Sequence, residues 1–361
     1  MKRGKELDFR MKSANPGKLA ASLILLLGGV ALIAVSVIMD AMGSRLSFRG
    51  AMLVVGILAV LAGMYFFPSQ RRHRDMVNFI FLFPLVFTFL VTVIVPMVVG
   101  FYYSFTDWNG VTVNQTVGFA NYAAMFQDPA FIWSLLITVL FVVINMILVN
   151  VIGFLLALLC TSKLKGIGFF RAAYFLPNLI GGIVLGYVWQ FVFSNVMMSL
   201  LNQTASWLAN TNTAFMAIII VYIWQYAGYI MLIYVNGLVT VPGEVLEAAS
   251  IDGASPITTL FRIKLPMIAS TITICTFLTL TSAFKQFDVN LALTNGTGSV
   301  PNFFGNYLSN GTQMLALNIY NSAFARDQYG LAQAKAILFF IILACVSLLQ
   351  VRISNKKEVE L

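Results

Sequence analysis

Long, uninterrupted apolar runs are the feature of this sequence that most restricts what it can fold into. A bilayer core of about 30 Å requires about 20 apolar residues for each helical crossing. Eight segments come within the usual scatter of that length, and 60% of the 361 residues are hydrophobic while only 10% are charged. Lipid is therefore the solvent for most of the chain. The segments are 19–39, 50–67, 79–102, 131–160, 172–193, 215–239, 267–284 and 333–351.

Helices are the expected form of these segments. An unpaired backbone amide in hydrocarbon costs several kcal/mol, so only helices and closed barrels span membranes. The runs lack the alternation of apolar and polar residues that is typical of barrel strands. The sequence thus predicts an all-α polytopic membrane protein with eight transmembrane helices.

The placement of basic residues predicts the topology. The net charge of +9 is compatible with a nucleic-acid partner, but seventeen of the 22 lysines and arginines fall on one side if the N-terminus is cytoplasmic. This asymmetry follows the positive-inside rule and places both termini in the cytoplasm. It leaves no basic stripe for a nucleic acid, so that class of partner is excluded.

The chain is expected to divide into an N-terminal part and a larger body. Residues 1–75 hold a cytoplasmic tail and two additional transmembrane helices, and residues 76–361 hold a six-helix core. The inner loop 240–266 holds five charged residues, and we expect a partner to dock there. The three cysteines lie far apart in or beside apolar segments, and we interpret them as small buried hydrophobic side chains.

Prolines and glycines inside the apolar segments predict local irregularities. Pro84, Pro96 and Pro177 are expected to kink their helices, because a proline has no N–H to donate. Gly182 and Gly186 form a small-xxx-small face on which another helix backbone could pack closely.

The loop 240–266 has the pattern of a helix, a turn and a second helix. Pro242 presets a helix start, apolar residues around Ala249 can form a stripe, and Asp252 with Gly253 supplies a turn. A surface helix with such small side chains can enter a groove on a cytoplasmic partner.

The same loop resembles the cytoplasmic signature of the permease subunits of ABC importers. That signature reads E-A-A, a few residues, G, a spacer and then I-x-L-P, and the Ile-Asp-Gly-Ala segment here is similar to the sugar-importer branch. The resemblance extends to the C-terminus, and the eight-helix count is similar to that of maltose permease subunits. By this resemblance the residues that couple to an ATPase are Glu247, Ala248, Ala249, Asp252, Gly253, Ala254, Ile263, Leu265 and Pro266.

The resemblance implies a fold, a function, partners and a location. The fold is that of type I ABC importer permeases, and the function is translocation of a sugar, with an oligosaccharide favoured. The implied partners are a second permease subunit, two ATPase subunits that bind ATP and magnesium, and an extracytoplasmic sugar-binding protein. This chain itself is expected to hold no cofactor, metal or catalytic residue. The location is the bacterial inner (plasma) membrane, crossed several times.

Polar and aromatic residues of the later helices are candidates for sugar contact. Sugars are bound by aromatic faces and by amides or hydroxyls that match the ring hydroxyls. Some candidates recur at three- and four-residue spacing, so they share one helix face. Hydrogen bonding between helices is an open alternative for each of them. The candidates, several of which also follow from the resemblance, are Asn178, Trp224, Gln225, Tyr229, Thr279, Ser282 and Gln286.

Two other function classes remain open at this point. The chain has no G-x-x-x-x-G-K-[ST] phosphate loop, so energy must come from a partner or an ion gradient. A secondary transporter needs ionisable residues near the bilayer midplane, and the apolar segments have almost none. A membrane-embedded enzyme needs an inward-facing set of His, Asp, Glu or Cys that the spacing does not provide. Lys285 and Asp288 are instead expected to form an ion pair at the outer membrane edge.

Overall fold

A computed structural model describes residues 16–41, 48–67, 73–162, 165–202 and 204–355 of the chain. They group into two compact units, one ending at Val99 and one beginning at Gly100. The expected division after residue 75 stays a prediction. Several basic residues on which the topology rests lie outside the described residues, among them those before residue 16, Arg71, Arg72, Lys163, Lys356 and Lys357.

The first unit contains a closely packed pair of helices, α1 (Pro16–Ala41) and α2 (Arg49–Phe66). A Cβ placed on Gly29 would lie 2.7 Å from the carbonyl oxygen of Gly56. The two backbones therefore touch, and only glycine fits at this contact. Many aliphatic side chains of the pair are exposed, as suits a lipid environment.

A widened turn interrupts the next helical stretch. The π-helical segment Leu90–Ile94 joins α3 (His73–Phe89) to α4 (Val95–Tyr103). Pro96 has no N–H to donate to Thr92, and its ring crowds that carbonyl, which accounts for the extra residue in the turn. The irregularity expected at Pro96 is thus present, whereas α3 continues through Pro84.

The second unit consists of helices and one small hairpin. Its π-helical segments are Val192–Val196, Leu260–Lys264 and Asn290–Thr294. In chain order its elements are α5 (Ala120–Gln127), α6 (Pro129–Cys160), α7 (Ile167–Leu179), α8 (Gly182–Phe191), α9 (Met197–Leu200), α10 (Thr211–Val239), α11 (Gly243–Ile251), α12 (Pro256–Thr259), α13 (Leu265–Met267), α14 (Ala269–Phe284), the antiparallel strands β1 (Val300–Phe303) and β2 (Asn306–Leu308), α15 (Leu315–Phe324) and α16 (Tyr329–Asn355).

The core of this unit lies where α6, α10 and α14 meet. Phe141 and Tyr222 pack edge to face with ring centroids 5.1 Å apart, and both are fully buried. Gly153 brings α6 close to α10, because a Cβ there would lie 3.0 Å from the Ile230 side chain. Large side chains and a few glycines thus fix the three helices that carry most of the candidate residues.

The expected single helix over 172–193 is wrong. α7 ends at Leu179, Ile180 and Gly181 are extended with ψ of 128° and 136°, and α8 then begins. Pro177 lies inside α7, so the break comes three residues after it. Consecutive glycines favour this position, since glycine is among the poorest helix formers.

The small-residue face of α8 packs as the sequence predicts. A Cβ on Gly182 would lie 2.6 Å from the Cβ of Asp288, and one on Gly186 would lie 2.5 Å from the Cβ of Ala292. Both glycines therefore let α8 approach the segment that contains Asn290–Thr294. They serve helix packing, which is how the pattern was interpreted.

Among the described residues, six helices are long and apolar enough to cross a membrane. α12 and α13 lead into α14 with a bend of 74°, and this broken pair gives a seventh crossing if it is counted as one span. The apolar part of α2, Gly50–Phe66, is shorter than the length required of a span. The polytopic helical class is confirmed, whereas the count of eight spans is not.

A buried lysine joins three elements of the second unit. The Lys335 ammonium, on α16, donates to the Asp128 carboxylate at 3.3 Å, to Asn318 Oδ1 at 2.9 Å and to Ser322 Oγ at 2.9 Å. It also lies 5.3 Å from the centroid of the Phe131 ring. Three protons thus meet three acceptors, and α15 is fixed between α16 and the start of α6. We call these four hydrogen-bonded residues the Lys335 cluster.

Two minor expectations need correction. Lys285 and Asp288 do not pair, since the one salt bridge formed within the described ranges joins Lys335 to Asp128. Both Lys285 and Asp288 are exposed, where pairing gains little free energy. All three cysteines are free, but only Cys160 and Cys275 are buried; Cys345 lies on an exposed side of α16.

Candidate functional site

The loop 240–266 forms a short helix with a sharply defined end. α11 begins directly after Pro242, which is extended with ψ of 134°. At its other end, the Gly253 N–H donates to Ser250 O at 3.2 Å and the Ala254 N–H donates to Ala249 O at 2.9 Å. This pair of hydrogen bonds is a Schellman motif, in which the residue after the C-cap has a left-handed conformation.

Gly253 is required for that conformation. Its φ is +74°, a region that side chains with a Cβ rarely adopt. A Cβ placed there would meet no atom within 4 Å, so backbone conformation alone demands glycine. The glycine of the E-A-A…G pattern is therefore the stop signal of α11.

The two faces of α11 have different environments. Ala249 is buried and Leu246 packs against the main core, so this side attaches the helix to the unit. Glu247, Ala248 and Ile251 are exposed, and the last is 87% exposed. A carboxylate, a small side chain and an apolar side chain thus face outward together.

The rest of the loop continues this exposed surface and then returns to the core. Ile257 and Phe261 are 70% and 62% exposed. Leu265 packs against the core cluster, Ile263 is half-buried and Pro266 is exposed. Asp252 is exposed at the end of α11, and Ala254 is half-buried after the turn. Most residues of the predicted coupling set are therefore accessible to a partner.

Thr279 belongs to a buried hydrogen-bond network between three helices. Asn150 Nδ2 donates to Thr279 Oγ1 at 3.2 Å, and the Tyr234 hydroxyl donates to Asn150 Oδ1 at 3.0 Å. The Thr279 hydroxyl donates to Cys275 O at 2.9 Å. α6, α10 and α14 are joined at this point, which favours the alternative of helix–helix bonding for Thr279.

Replacing Thr279 with valine tests that assignment. The change leaves Asn150 Nδ2 without its interhelical acceptor, so we expect about 1 kcal/mol lower stability. The matched control is Thr281→Val, because the Thr281 hydroxyl bonds, within the described part of the chain, to Phe277 O and Leu278 O of its own helix and to no other helix. Thermal unfolding of the solubilised protein measures the difference. Equal effects of the two changes would mean that the interhelical bond contributes nothing.

Ser282 is held in a second interhelical contact. Its Oγ lies 2.8 Å from the Tyr222 hydroxyl and donates to Leu278 O at 2.7 Å. Tyr222 in turn stacks on Tyr226 with ring centroids 4.4 Å apart. Ser282 therefore lies beside a pair of tyrosines on α10.

The amide candidates lie near the break between α7 and α8 and beyond the end of α14. Gln225 is buried, and its Nε2 points to Ile180 O at a long 3.5 Å. Gln286 is 6% exposed, and its Nε2 has no hydrogen-bond partner within the described part of the chain. Asn178 is half-buried in the last turn of α7. A buried amide without a partner is costly, which makes Gln286 a candidate for binding a polar ligand.

The aromatic candidates differ in exposure. Trp224 is 45% exposed and its ring lies 5.5 Å from that of Trp189 at 74°. Tyr229 is half-buried and packs against the core. Trp224 and Gln225 are consecutive on α10, so they point to different sides of the helix. The structure thus separates the candidates into accessible groups and groups committed to packing.

Several residues of this region escaped the sequence analysis. Asn150, Tyr222, Tyr226 and Tyr234 supply the partners of the candidate threonine and serine. The four-residue spacing of the two stacked tyrosines was a usable signal, since it places them on one face of α10. Asn150 carried no such sequence signal, because its partners on other helices lie 84 and 129 positions away.

Comparison with known proteins identifies the family. A family model described as the binding-protein-dependent transport system inner membrane component matches residues 150–359. A probable starch degradation products transport system permease protein of Thermoanaerobacterium thermosulfurigenes is 38% identical over 287 residues, covering 78% of this chain and 95% of the relative. A multiple sugar-binding transport system permease protein of Streptococcus mutans is 34% identical, with coverage of 73% and 90%.

A solved structure agrees on the fold. A bacterial ABC transporter that imports the acidic polysaccharide alginate contains a chain that matches with a TM-score of 0.68 at 19% identity. The match covers 80% of this chain and 98% of that chain. Since the family model spans more than half of the sequence and the relatives match most of it, this chain belongs to the family of binding-protein-dependent transport system inner membrane components, the permease subunits of ABC importers.

Proposed function

We propose that this permease imports a neutral sugar, with an oligosaccharide favoured, that an extracytoplasmic binding protein delivers. The names of two relatives support a carbohydrate cargo, since one is assigned to starch degradation products and the other to multiple sugars. The candidate contacts are amides and aromatic rings, which suit sugar hydroxyls and ring faces.

The exposed face of α11 is the observation that carries the energy-coupling part of the proposal. Glu247, Ala248 and Ile251 lie on a helix whose end is fixed at Gly253. A separate ATPase subunit binds this face, and an arginine of that subunit grips the Glu247 carboxylate. The loop returns to the core at Leu265, so ATPase closure moves α14.

The proposed assembly contains this chain, a second and different permease subunit, two ATPase subunits that bind ATP and magnesium, and the binding protein. Both termini of this chain lie in the cytoplasm, as the basic residues indicate. An alternative driven by an ion gradient lacks support in the second unit. Its buried Lys335 donates all three protons to fixed acceptors.

Uptake by proteoliposomes containing the whole importer tests the function. We expect sugar transport to require ATP on the side of the membrane where the ATPase subunits lie. Transport should persist in the presence of a proton or sodium ionophore. Uptake that needs no ATP and collapses with the ionophore would favour a secondary transporter. Uptake of amino acids or peptides but no sugar would contradict the proposed cargo.

Trp224 and Gln286 are the proposed principal sugar contacts. Asn178, Gln225 and Tyr229 are the proposed additional contacts. Thr279 and Ser282 are secondary candidates, because the hydroxyl of each is already engaged in a bond to another helix.

Replacing Trp224 with alanine tests the sugar site. The loss of one stacking ring is expected to raise the sugar concentration that half-maximally stimulates ATP hydrolysis by about tenfold. Ile220→Ala is the matched control, because Ile220 is 40% exposed one turn earlier on the same face of α10. ATP hydrolysis by the assembled importer, titrated with sugar and its binding protein, provides the measurement. An equal shift in both variants would remove Trp224 from the site.

A further inference from the structure

A row of aromatic side chains crosses the second unit near α15. Phe287 and Tyr320 have ring centroids 5.1 Å apart, and Tyr320 and Phe324 have centroids 4.8 Å apart. Phe324 lies 5.9 Å from Tyr329, which lies 5.5 Å from Trp108. We call these five residues the aromatic row. They come from four separate stretches of the chain, so no sequence pattern reveals the row.

The middle of the row is accessible and rigidly mounted. Tyr320 is 40% exposed and Phe324 is 63% exposed. Both lie on α15, one turn apart, while Asn318 and Ser322 on the same helix bond to the buried Lys335. The helix that carries both rings is therefore held in place before any ligand arrives, which reduces the entropy cost of binding.

The row lies at the end of the bundle that is remote from the loop 240–266. α14 leads away from that loop and ends at Phe284, three residues before Phe287. Exposed charged residues flank the row, with Lys285 and Asp288 near one end and Arg326 and Asp327 near the other. Exposed charges are not tolerated in the hydrocarbon layer, so the row lies at its aqueous rim.

We propose that the aromatic row is a second sugar-binding surface, on which successive pyranose rings of a neutral oligosaccharide stack as the chain approaches the transmembrane path. The inference rests on the proposed sugar function and extends it to cargo of several rings. Aromatic faces bind the apolar faces of sugar rings, and the tyrosine hydroxyl can bond to ring hydroxyls. The row contains no charged member, which suits a neutral cargo.

A second observation at one end of the row also points to a ligand. Gln286 directly precedes Phe287 and is buried, and its Nε2 lacks a hydrogen-bond partner among the described residues. A buried amide donor of this kind gains a bond when a sugar hydroxyl arrives. An amide of this kind thus directly precedes the first ring of the row in the chain.

Cysteine labelling tests whether the row is open to water and binds sugar. Ala325 is exposed next to Phe324, so Ala325→Cys in a Cys345→Ser background adds one reactive thiol without removing a ring. The native Cys160 and Cys275 are buried. A membrane-impermeant maleimide is applied to the assembled importer without binding protein, with and without millimolar maltohexaose or cellohexaose. We expect labelling without sugar and a rate at least about threefold lower with one of the two sugars.

Other outcomes of the labelling contradict the proposal. No labelling in the assembled importer but labelling of the isolated chain would mean that the second permease covers the row. No labelling in either, together with labelling from the lipid phase, would mean that the rings belong to the aromatic belt of the membrane interface. Labelling at a rate that neither sugar changes would mean an open surface that does not bind sugar.

Uptake by chain length separates this inference from the proposed function. Tyr320→Ala is expected to raise the half-saturating concentration for maltohexaose roughly threefold to tenfold and to leave that for maltose unchanged. Tyr320→Phe, which keeps the ring, should have a much smaller effect. The control is Phe340→Ala, because Phe340 is 57% exposed on α16 and is not part of the row.

The two possible failures look different. Equal shifts for both sugar lengths would indicate a docking defect and overturn the inference. A wild-type importer that transports no sugar would overturn the proposed function instead, and the labelling result would still decide whether the row binds sugar.

Discussion

Gly253→Val is expected to reduce ATP-driven sugar uptake by about tenfold or more, because valine cannot hold the turn that ends α11. Left-handed backbone costs a residue with a Cβ roughly 1–2 kcal/mol, and a β-branched residue more. The chain relieves this strain by unwinding the turn, which breaks the bonds from Gly253 to Ser250 and from Ala254 to Ala249. Ile257 and Phe261 then no longer share one surface with α11.

The control for this prediction is Gly243→Val at the other end of the same helix. A Cβ on Gly243 also meets no atom within 4 Å, but its φ lies outside the left-handed region. The two variants therefore add the same side chain to equally open positions and differ only in backbone conformation. Uptake in proteoliposomes is measured with the amount of importer assembled in the membrane. Normal uptake by Gly253→Val would show that the turn is not needed for coupling.

Lys335→Met is expected to lower the stability of the second unit by about 3 kcal/mol, since it strands a carboxylate and two polar groups that face the lysine. Lys335 is fully buried, whereas Asp128 is 24% exposed. Water can therefore still solvate the Asp128 carboxylate in part, so the loss of stability lies at the lower end of the range for breaking a buried ion pair. Folded protein recovered from membranes and the Tm after solubilisation report the effect. Lys285→Met, which removes an exposed lysine, should change neither quantity.

A double variant separates the charge from the packing. Asp128→Asn keeps an oxygen that can accept from the Ala130 N–H at the start of α6, but it removes the negative charge. Combined with Lys335→Met, it is expected to recover about half of the lost stability. No recovery would mean that the methionine disrupts packing beside Phe131 and that the ion pair itself matters little.

The conformation of the loop 240–266 is the part of the candidate site that the sequence predicted best. Pro242, the Asp252-Gly253 pair and the apolar position at Ala249 act through neighbours within a few residues, and the observed helix and turn follow from them. Local signals suffice here because a Schellman stop needs only one residue in the left-handed region. The roles of Glu247 and the other coupling residues stay predictions.

The sugar-contact candidates were harder to judge from the sequence. Thr279, Ser282 and Gln286 share a face by spacing, yet two of them bond to other helices, and the Nε2 of the third has no partner among the residues that the structure describes. Spacing on one helix does not reveal what the facing helix offers. The distinction between a hydroxyl bonded to another helix and an amide donor without a partner therefore required the positions of α6 and α10.

The sequence by itself determined that most of the chain lies in lipid, that it is helical and that residues 240–266 form a helix followed by a turn, since composition and local spacing fix these properties. Only the tertiary structure decided the Lys335 cluster, the approach of α8 to Asp288 and the aromatic row. Lys335 and Asp128 are 207 positions apart, and Gly182 meets Asp288 across the fold. Such contacts depend on which helices pack together, and no local pattern encodes that choice.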